Sequence, residues 1–230
     1  MNENMILVSE ANDVERAIFY KKTYMHVAIA LLSFIVVEGF LLRAVPQDMI
    51  MWMLSGKFIW LFLLGLFWLG SVISTRFSFS LDRTKQYIGL GLYILLEAII
   101  FLPILYIALI YTDNGAVVQQ AAIITLFMFG GLTAVVFLTK KDFSFLRTAI
   151  VIGGFIALGL IVAGAIFGFN LGLWFSVGMV VLASGSILYQ TSEIKNKYGT
   201  EQYVGAALQL FASVMLLFWY ILRILMSRRS

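Results

Sequence analysis

The sequence predicts an all-α protein, a polytopic membrane helix bundle with seven transmembrane helices and the seventh near the centre. Hydrophobic residues make up 62% and charged residues 12% of the 230 residues, against about 45–50% and about 25% in soluble proteins. The mean hydropathy is +0.98. Several nearly uncharged segments reach about 18 residues or more, enough to cross a hydrocarbon core of about 30 Å. No segment alternates like a barrel strand, so a helical bundle is the architecture that satisfies the backbone in lipid.

Charged or turn-forming residues separate the apolar segments. Arg43, Pro46 and Asp48 end the first segment, and a basic stretch at residues 76–85 separates the second from the third. Pro103 lies inside the third segment, where it cannot donate a backbone hydrogen bond and should kink the helix. The predicted spans are residues 23–42, 58–74, 87–111, 118–138, 148–167, 171–189 and 203–225.

Charged or turn-forming residues also separate the apolar segments in the second half of the chain. Asp113, Asn114 and Gly115 predict a turn before the fourth span, and a second basic loop at residues 140–147 follows that span. The fifth span is rich in glycine, which favours close helix packing in lipid. A charged loop, Glu193 to Glu201, leads from the sixth span to the seventh.

The distribution of basic residues predicts the topology. Eleven of the 16 Lys and Arg residues flank the spans on the side of the N-terminus, so the positive-inside rule places the N-terminal segment, residues 1–22, in the cytoplasm. Residues 23–226 form one transmembrane domain, followed by a tail at residues 227–230. If all seven helices cross, Arg223 and the tail lie outside; a re-entrant sixth or seventh helix would return them to the cytoplasm. The dispersed basic residues do not indicate a nucleic-acid partner.

Sequence motifs for catalysis and metal binding are absent. The chain has no cysteine and one histidine, which excludes disulfides, thiolate sites and multi-histidine centres within one chain. Nucleophile-elbow, zinc-protease and phosphate-binding glycine motifs are missing, and no two acids share helical spacing inside a span. We therefore expect a protein that is not an enzyme and needs no cofactor or metal.

A polar stripe marks the seventh span as the hub of the bundle. The stripe consists of Gly205, Ala206, Gln209, Ala212 and Ser213. Three of these residues are spaced at i, i+4 and i+8 and therefore share one helix face. Small and weakly polar side chains let neighbouring helices approach closely in lipid. The opposite face is rich in Leu, Phe and Trp, which predicts that Trp219 lies nearer to lipid.

Glu38 and Glu97 are the only acids well inside apolar segments. An ionised carboxylate at the bilayer centre costs about 2.5–3.5 kcal/mol or more, so such a residue faces a cavity, finds a partner or takes up a proton. Glu97 lies near the middle of the third span, and both an ion or proton site and a carboxyl hydrogen-bonded between helices remain open for it. For Glu38 we favour the second arrangement, or a side chain that reaches Arg43 or Lys57.

Three segments carry a family resemblance. The start of the first span is Lys22 to His26, the mid-chain loop is Thr139 to Leu146, and the C-terminal stretch is Leu188 to Leu225, with an aromatic-X-Thr-X-X-Ile segment, a charged loop, Gly-Ala and a closing Ile-Leu-Arg-Ile-Leu. Together they resemble the Bax-inhibitor family of polytopic membrane proteins, over roughly residues 20–225. The resemblance implies a bacterial-type member in the inner (plasma) membrane.

The resemblance also implies a pH-sensitive calcium leak and two aspartates, one after the aromatic residue that ends the sixth span and one in the middle of the seventh. Gln190 and Ser213 occupy these positions. Because Ca²⁺ prefers carboxylate ligands, these residues remove both the attraction and a proton-switched pair.

Two functions therefore remain. The first is a non-enzymatic binding or regulatory partner of other membrane proteins, for example of a membrane-bound protease complex. Some bacterial members of the family resemble modulators of such a protease. The alternative is a pH-sensitive calcium or ion leak with Glu97 as the proton-responsive group, assisted by Gln190, Gln209 and Ser213. A leak needs a polar cavity between the third, sixth and seventh spans, whereas a regulator needs only a dry seam.

Overall fold

The protein is a bundle of long helices. The computed structural model describes residues 6–80, 82–111, 115–139 and 141–227. These residues form α1 (Asp13–Ala44), α2 (Gln47–Ser55), α3 (Lys57–Ser78), α4 (Arg83–Tyr111), α5 (Ala116–Leu138), α6 (Leu146–Phe167), α7 (Gly172–Asn196) and α8 (Tyr203–Ser227). All but α2 are long and apolar enough to cross a membrane. The predicted helical membrane bundle is confirmed, and its seven spans correspond to α1 and α3 to α8.

The helix α8 is the centre of the bundle. It packs against α1, α3, α4, α5 and α7, and most of its residues are buried. Gly205 allows the closest approach: a Cβ atom there would lie 2.7 Å from the ring of Phe79, at the end of α3. A small residue at this point is therefore what lets α8 sit against the end of α3.

The burial of α8 extends around the helix instead of following one stripe. Trp219 stacks on Trp60 of α3, with ring centroids 6.0 Å apart, and meets Phe101 of α4 edge-on at 4.9 Å. Trp219 is half-buried, more exposed than Gly205 and Ser213 as predicted, but its ring packs on α3 and α4 and does not point freely away from the bundle.

Two helices, α1 and α7, extend furthest beyond their predicted spans. The first begins at Asp13, where Asn12 Oδ1 accepts a hydrogen bond of 2.9 Å from the Glu15 backbone N–H, a typical N-cap. The second is α7, which continues to Asn196, past the predicted end at residue 189. Its last turns are held by tertiary contact: the Lys195 Nζ donates to the Val136 carbonyl oxygen at the end of α5, over 2.9 Å.

The nine-residue α2 was not predicted. Pro46 stands at its N-cap position, so the residues that end the first span also begin a new helix. Ile50 and Met53 are buried and hold α2 against the bundle. A length of nine residues is too short to cross a bilayer, which is why hydropathy alone does not reveal it.

The connections divide between two ends of the bundle. At the end that we name the basic end, the Val8 N–H donates to the Tyr198 carbonyl oxygen over 2.9 Å, and Arg83 forms an ion pair with Glu201. At the opposite end, α2, the end of α4 and the end of α8 line a common cavity. The described chain thus starts at one end and finishes at the other, as seven crossings require.

Glycine with a positive φ angle stands in two of the turns between helices, one of them at the turn predicted from Gly115. Gly115 and Gly168 have φ angles of 82° and 77°, a left-handed conformation that glycine adopts without steric cost. Several residues named in the sequence analysis lie outside the described residues: Asp113, Asn114, Lys140 and residues 228–230, together with the side chain of Lys57.

Candidate functional site: a polar cavity inside the bundle

A cavity of about 760 Å³ lies between α3, α4, α6, α7 and α8. The polar side chains in its lining include Glu97, Asn170, Ser186, Gln190, Gln209, Ser213 and Arg223. The structure therefore brings together four of the five polar site residues that the sequence singled out. A cavity thus lies between α4, α7 and α8, where a leak would need one, and its lining is largely apolar with these polar groups in it.

The cavity runs along one face of α8. Gln209, Ser213, Tyr220 and Arg223 all line it, and their spacing of three, four or seven residues keeps them on that face. At 1.5 Å per residue, the distance from Gln209 to Arg223 is about 21 Å. The cavity thus extends over most of a hydrocarbon core of about 30 Å.

Hydrogen bonds between α7 and α8 organise its polar wall. The Ser213 hydroxyl donates to the Gln209 carbonyl oxygen over 3.0 Å, and the Ser186 and Ser213 hydroxyl oxygens are 2.9 Å apart. Because Ser213 has a single proton to donate, Ser186 is the donor in the second bond. The Gln190 amide donates to the Gln209 side-chain oxygen at 3.5 Å. This wall offers dipoles to a polar solute and no charge.

Glu97 supplies the carboxyl of the cavity. It lies at the midpoint of α4, is 6% exposed, and shares the cavity lining with Tyr93, one turn earlier on the same helix. Within the described part of the chain, no Lys, Arg or His forms an ion pair with it. Such a carboxyl must share its cavity with water or a cation whenever it is ionised.

Glu38 is buried elsewhere. It is 4% exposed and follows Phe34 by one turn on the buried face of α1, where Phe34 contacts Phe101 and Phe211. Neither carboxylate oxygen has a hydrogen-bond partner among the residues described. Arg43, five residues on, lies about 140° further round the helix and is exposed. Among the described side chains, Glu38 therefore makes neither the expected hydrogen bond to a neighbouring helix nor the expected contact with Arg43; the Lys57 side chain lies outside the described residues.

The three small residues of the predicted packing stripe take two different positions. Gly205 is buried, and Ala206 is fully buried in the main hydrophobic core. Ala212 is only half-buried and lines the cavity. Its small side chain leaves space for the cavity and does not draw another helix close.

The sequence analysis missed two parts of the site. One is Ser186, which lies four residues before Gln190 on α7. This i, i+4 spacing places both polar side chains on one helix face and could have been recognised in the sequence. The other part is a second cavity of about 370 Å³ at the end of the bundle opposite the basic end. Trp60, Trp219 and Arg223 line both cavities, a juxtaposition of α3 and α8 that spacing along one helix cannot reveal.

The mid-chain loop is anchored to α7 at the basic end. Asp142 accepts hydrogen bonds from the Ser144 backbone N–H at 2.9 Å and from the Ser192 hydroxyl at 2.8 Å. The bond from the Ser144 backbone and then that from Ser192 hold the pKa of Asp142 below its ordinary value. This contact fixes the loop between α5 and α6, outside the membrane-spanning segments.

His26 lies near the basic end, away from the cavity. Its Nδ1 is 2.7 Å from the Lys22 carbonyl oxygen, and its Nε2 is 3.0 Å from the Tyr87 hydroxyl oxygen. A carbonyl can only accept, so Nδ1 carries a proton and donates to Lys22, and in the neutral ring Nε2 accepts from Tyr87. Over the described ranges, no three His, Asp or Glu side chains form a group that could hold a metal.

The fold defines an integral membrane protein, a helical bundle in contact with the lipid bilayer, with polar side chains in a cavity between its helices. The chain belongs to the Bax inhibitor family: the family described as "Inhibitor of apoptosis-promoting Bax1" matches residues 16–230. This match confirms the resemblance seen in the sequence.

Bacterial proteins are similar to about half of the chain. An uncharacterized protein from Pseudomonas aeruginosa is 38% identical over 123 residues, which cover 53% of this chain and 55% of the relative. Uncharacterized proteins from Neisseria meningitidis serogroups A and B are each 31% identical over 126 residues, covering 54% of this chain and 55% of the relative. The chain spans about half the length of the curated relatives it matches.

Proposed function

We propose that this protein is a pH-responsive ion leak in which Glu97 is the proton-responsive group. The observation that supports the proposal is the cavity of about 760 Å³, whose lining includes Glu97, Gln190, Gln209 and Ser213. A dry seam at this position would have favoured a purely regulatory protein. The polar wall instead favours the passage of a hydrated solute.

The chemistry of the cavity assigns the pH response to one group. Besides Glu97, the lining holds Tyr93, Tyr220 and Arg223 as titratable or charged side chains, and α3, α6 and α7 contribute none. A carboxylate attracts a cation and a protonated carboxyl does not. Cation flux should therefore rise with pH and follow the ionisation of Glu97.

The ion meets one carboxyl and several dipoles. Gln190 and Ser213 replace the family's two aspartates, so a permeating Ca²⁺ would find few of the anionic oxygen ligands that it prefers. Weak binding is compatible with a leak, because conduction needs a site that an ion can leave. Calcium and protons are therefore both tested as the permeant ion.

The test is flux through the purified protein in liposomes that carry a calcium or proton reporter. Glu97→Gln should abolish the pH-dependent part of the flux, whereas Ser213→Ala should alter it little. Glu38→Gln is the matched control, because Glu38 is an equally buried acid outside the cavity. Flux that keeps its pH dependence in Glu97→Gln contradicts the proposal.

A regulatory role is the second candidate. The observation that favours it is the loss of both acidic positions, since the neutral Gln190 and Ser213 cannot form the proton-switched pair of a calcium leak. In this role the protein binds another membrane protein, for example a protease complex, without catalysis. Absence of flux from the unmodified chain, with a partner that copurifies in gentle detergent, would support it.

We further propose that the protein resides in a bacterial inner (plasma) membrane with its N-terminus in the cytoplasm. Eleven of the 16 Lys and Arg residues lie within residues 1–22, in the connections that follow α3, α5 and α7, or in the helix ends beside those connections. These connections share the basic end of the bundle, which agrees with the positive-inside rule.

A further inference from the structure

One stripe of the central helix α8 is not fully covered by the other helices. Most of α8 is buried, but between Gly205 and Arg223 a few residues are only half-buried: Gln209, Ala212, Leu216, Trp219 and Arg223. All of them line the cavity of about 760 Å³. Residues three and four apart share one helix face. The stripe is therefore a continuous surface along α8 that the helices of this chain leave partly open.

The walls that face this stripe are mostly apolar. On the side of α6 the lining includes Ala157, Leu158 and Ile161, and on the side of α3 it includes Leu61 and Leu64. Leu158 is 54% exposed, so the lining reaches the outer surface of the bundle, which is in contact with lipid. Water against apolar walls is unfavourable. The hydrocarbon of the bilayer is the solvent that such a wall prefers.

Arg223 lies where this stripe reaches the membrane surface. At the basic end, Lys22 and Arg83 lie over the ring of Tyr203, at 5.0 and 4.6 Å from its centroid, an arrangement typical of a membrane interface. Arg223 follows Tyr203 on α8 by 20 residues, which is about 30 Å at 1.5 Å per residue. This distance equals the thickness of the hydrocarbon core. Arg223 is therefore at the depth of the lipid headgroups on the opposite side.

The guanidinium of Arg223 is suited to bind an anion at that depth. It is half-buried and is the one basic side chain in the described lining of the cavity. Among the described residues, no Asp or Glu forms an ion pair with it. A guanidinium binds a phosphate group through paired, charge-assisted hydrogen bonds. At a membrane interface, the phosphate of a lipid headgroup is the anion within reach.

The length of the stripe matches one leaflet of the bilayer. Ten residues of α8 separate Ser213 from Arg223, which is about 15 Å, or half of a hydrocarbon core of about 30 Å. An acyl chain whose phosphate is bound at Arg223 would therefore end near Ser213. On its way it would pass Leu216 and Trp219, which present apolar surface.

We propose that this face of the cavity binds one phospholipid, with the phosphate at Arg223 and one acyl chain between α3, α6 and α8. The positive charge of Arg223 favours an anionic phospholipid, such as phosphatidylglycerol, over a zwitterionic one. The site goes beyond the proposed leak, because it needs Arg223 and the apolar walls and does not need the ionisation of Glu97.

Native mass spectrometry of the full chain tests the headgroup contact. The protein in gentle detergent is titrated with phosphatidylglycerol or with phosphatidylethanolamine, and the first bound lipid is counted. Phosphatidylglycerol should bind more tightly. Arg223→Gln should weaken its binding about tenfold, a typical loss for one hydrogen bond to a charged group, and Arg223→Lys should retain most of it. Unchanged binding in Arg223→Gln overturns the site.

Arg43→Gln is the matched control for charge. Arg43 ends α1 at the same end of the bundle, is exposed and lines neither cavity, so its loss should leave the binding unchanged. An equal loss in Arg43→Gln and Arg223→Gln would indicate general attraction to surface charge and contradict the proposal. Displacement of the lipid by inorganic phosphate would indicate an anion site without an acyl-chain site, and would also contradict it.

Photocrosslinking tests the acyl-chain contact. A phosphatidylglycerol with a diazirine near the end of one acyl chain should crosslink to α8 near Ala212 and to α6 near Ala157. Ala212→Phe should remove these crosslinks by filling the space, and Ala212→Leu offers a smaller change if the first variant does not fold. Ala149→Phe is the control, because Ala149 is exposed on α6 and outside the lining. Crosslinks confined to residues outside the cavity lining overturn the proposal.

The outcomes separate this inference from the proposed function. Glu97→Gln should abolish pH-dependent flux and leave lipid binding unchanged, because it keeps the shape of the side chain and the charge of Arg223. Lipid binding that depends on Arg223 and Ala212, without any flux, supports the lipid site and contradicts the leak. Flux that depends on Glu97, with lipid binding that is the same in all variants, supports the leak and overturns the lipid site.

Discussion

Gly89 is the position where a single methyl group should disturb the bundle most directly. It lies on α4, and an added Cβ would be 2.6 Å from the Ser74 carbonyl oxygen and 2.7 Å from the Ser78 backbone nitrogen of α3. Non-bonded contacts of this kind normally begin near about 3.5 Å. Backbone atoms cannot turn aside as a side chain can, so Gly89→Ala forces α3 away from α4.

The magnitude follows from a matched comparison. Overpacking costs about 1–3 kcal/mol, and replacing a helical glycine by alanine gains about 1 kcal/mol of helix propensity. Gly91→Ala receives the same gain without the clash, because no atom lies within 4 Å of the added Cβ. The free energies of unfolding of the two variants should therefore differ by about 1–3 kcal/mol, with Gly89→Ala the less stable.

Thermal unfolding in detergent measures this difference. For a chain of this size, 1 kcal/mol shifts the Tm by about 2–4 °C, so Gly89→Ala should melt below Gly91→Ala by at least a few degrees. Because α3 also carries Trp60, the displaced helix should loosen the indole stack as well. A Gly89→Ala protein that melts at or above the Gly91→Ala temperature would refute the close approach of α3 and α4.

Three further predictions concern packing, topology and pH. Gly205→Leu should lower the free energy of unfolding by about 1–3 kcal/mol or more, because an added Cβ meets the Phe79 ring; an unchanged Tm would mean that the hub face is wrong. A cysteine at Ser144 should react with an impermeant thiol reagent from the cytoplasmic side, and labelling only from outside would contradict the proposed orientation. The pKa of Asp142 is lowered from 3.8, so its contribution to stability is present above pH 3.8 and is lost as the pH falls through the lower folded value. Ser192→Ala should weaken this acid-induced decrease in Tm. An identical decrease would show that the Ser192 hydrogen bond does not lower the pKa of Asp142.

The sequence alone was sufficient for the number of spans and the central position of α8. Span number follows from composition, because the thickness of the hydrocarbon core sets the length of each apolar segment. The hub follows from Gly205 and Ala206, whose small side chains mark a face that helices can approach. The sequence also predicts how far along a span a residue lies: Glu97 was expected near the middle of the third span and lies at the midpoint of α4.

Tertiary packing decided which of those residues share a site. Glu38 and Glu97 are both acids within apolar segments of the sequence. In the structure, Glu38 lies on the buried face of α1, which packs against α4 and α8, whereas Glu97 lines the cavity. Trp219 has the apolar character of a lipid-facing residue, yet its ring stacks on Trp60. Local hydrophobicity determines that a helix lies in the membrane. The packing of α3, α4, α6, α7 and α8 determines whether a side chain contacts lipid, the cavity or another aromatic ring. Sequence alone does not show these contacts, because each of them joins residues far apart in the chain.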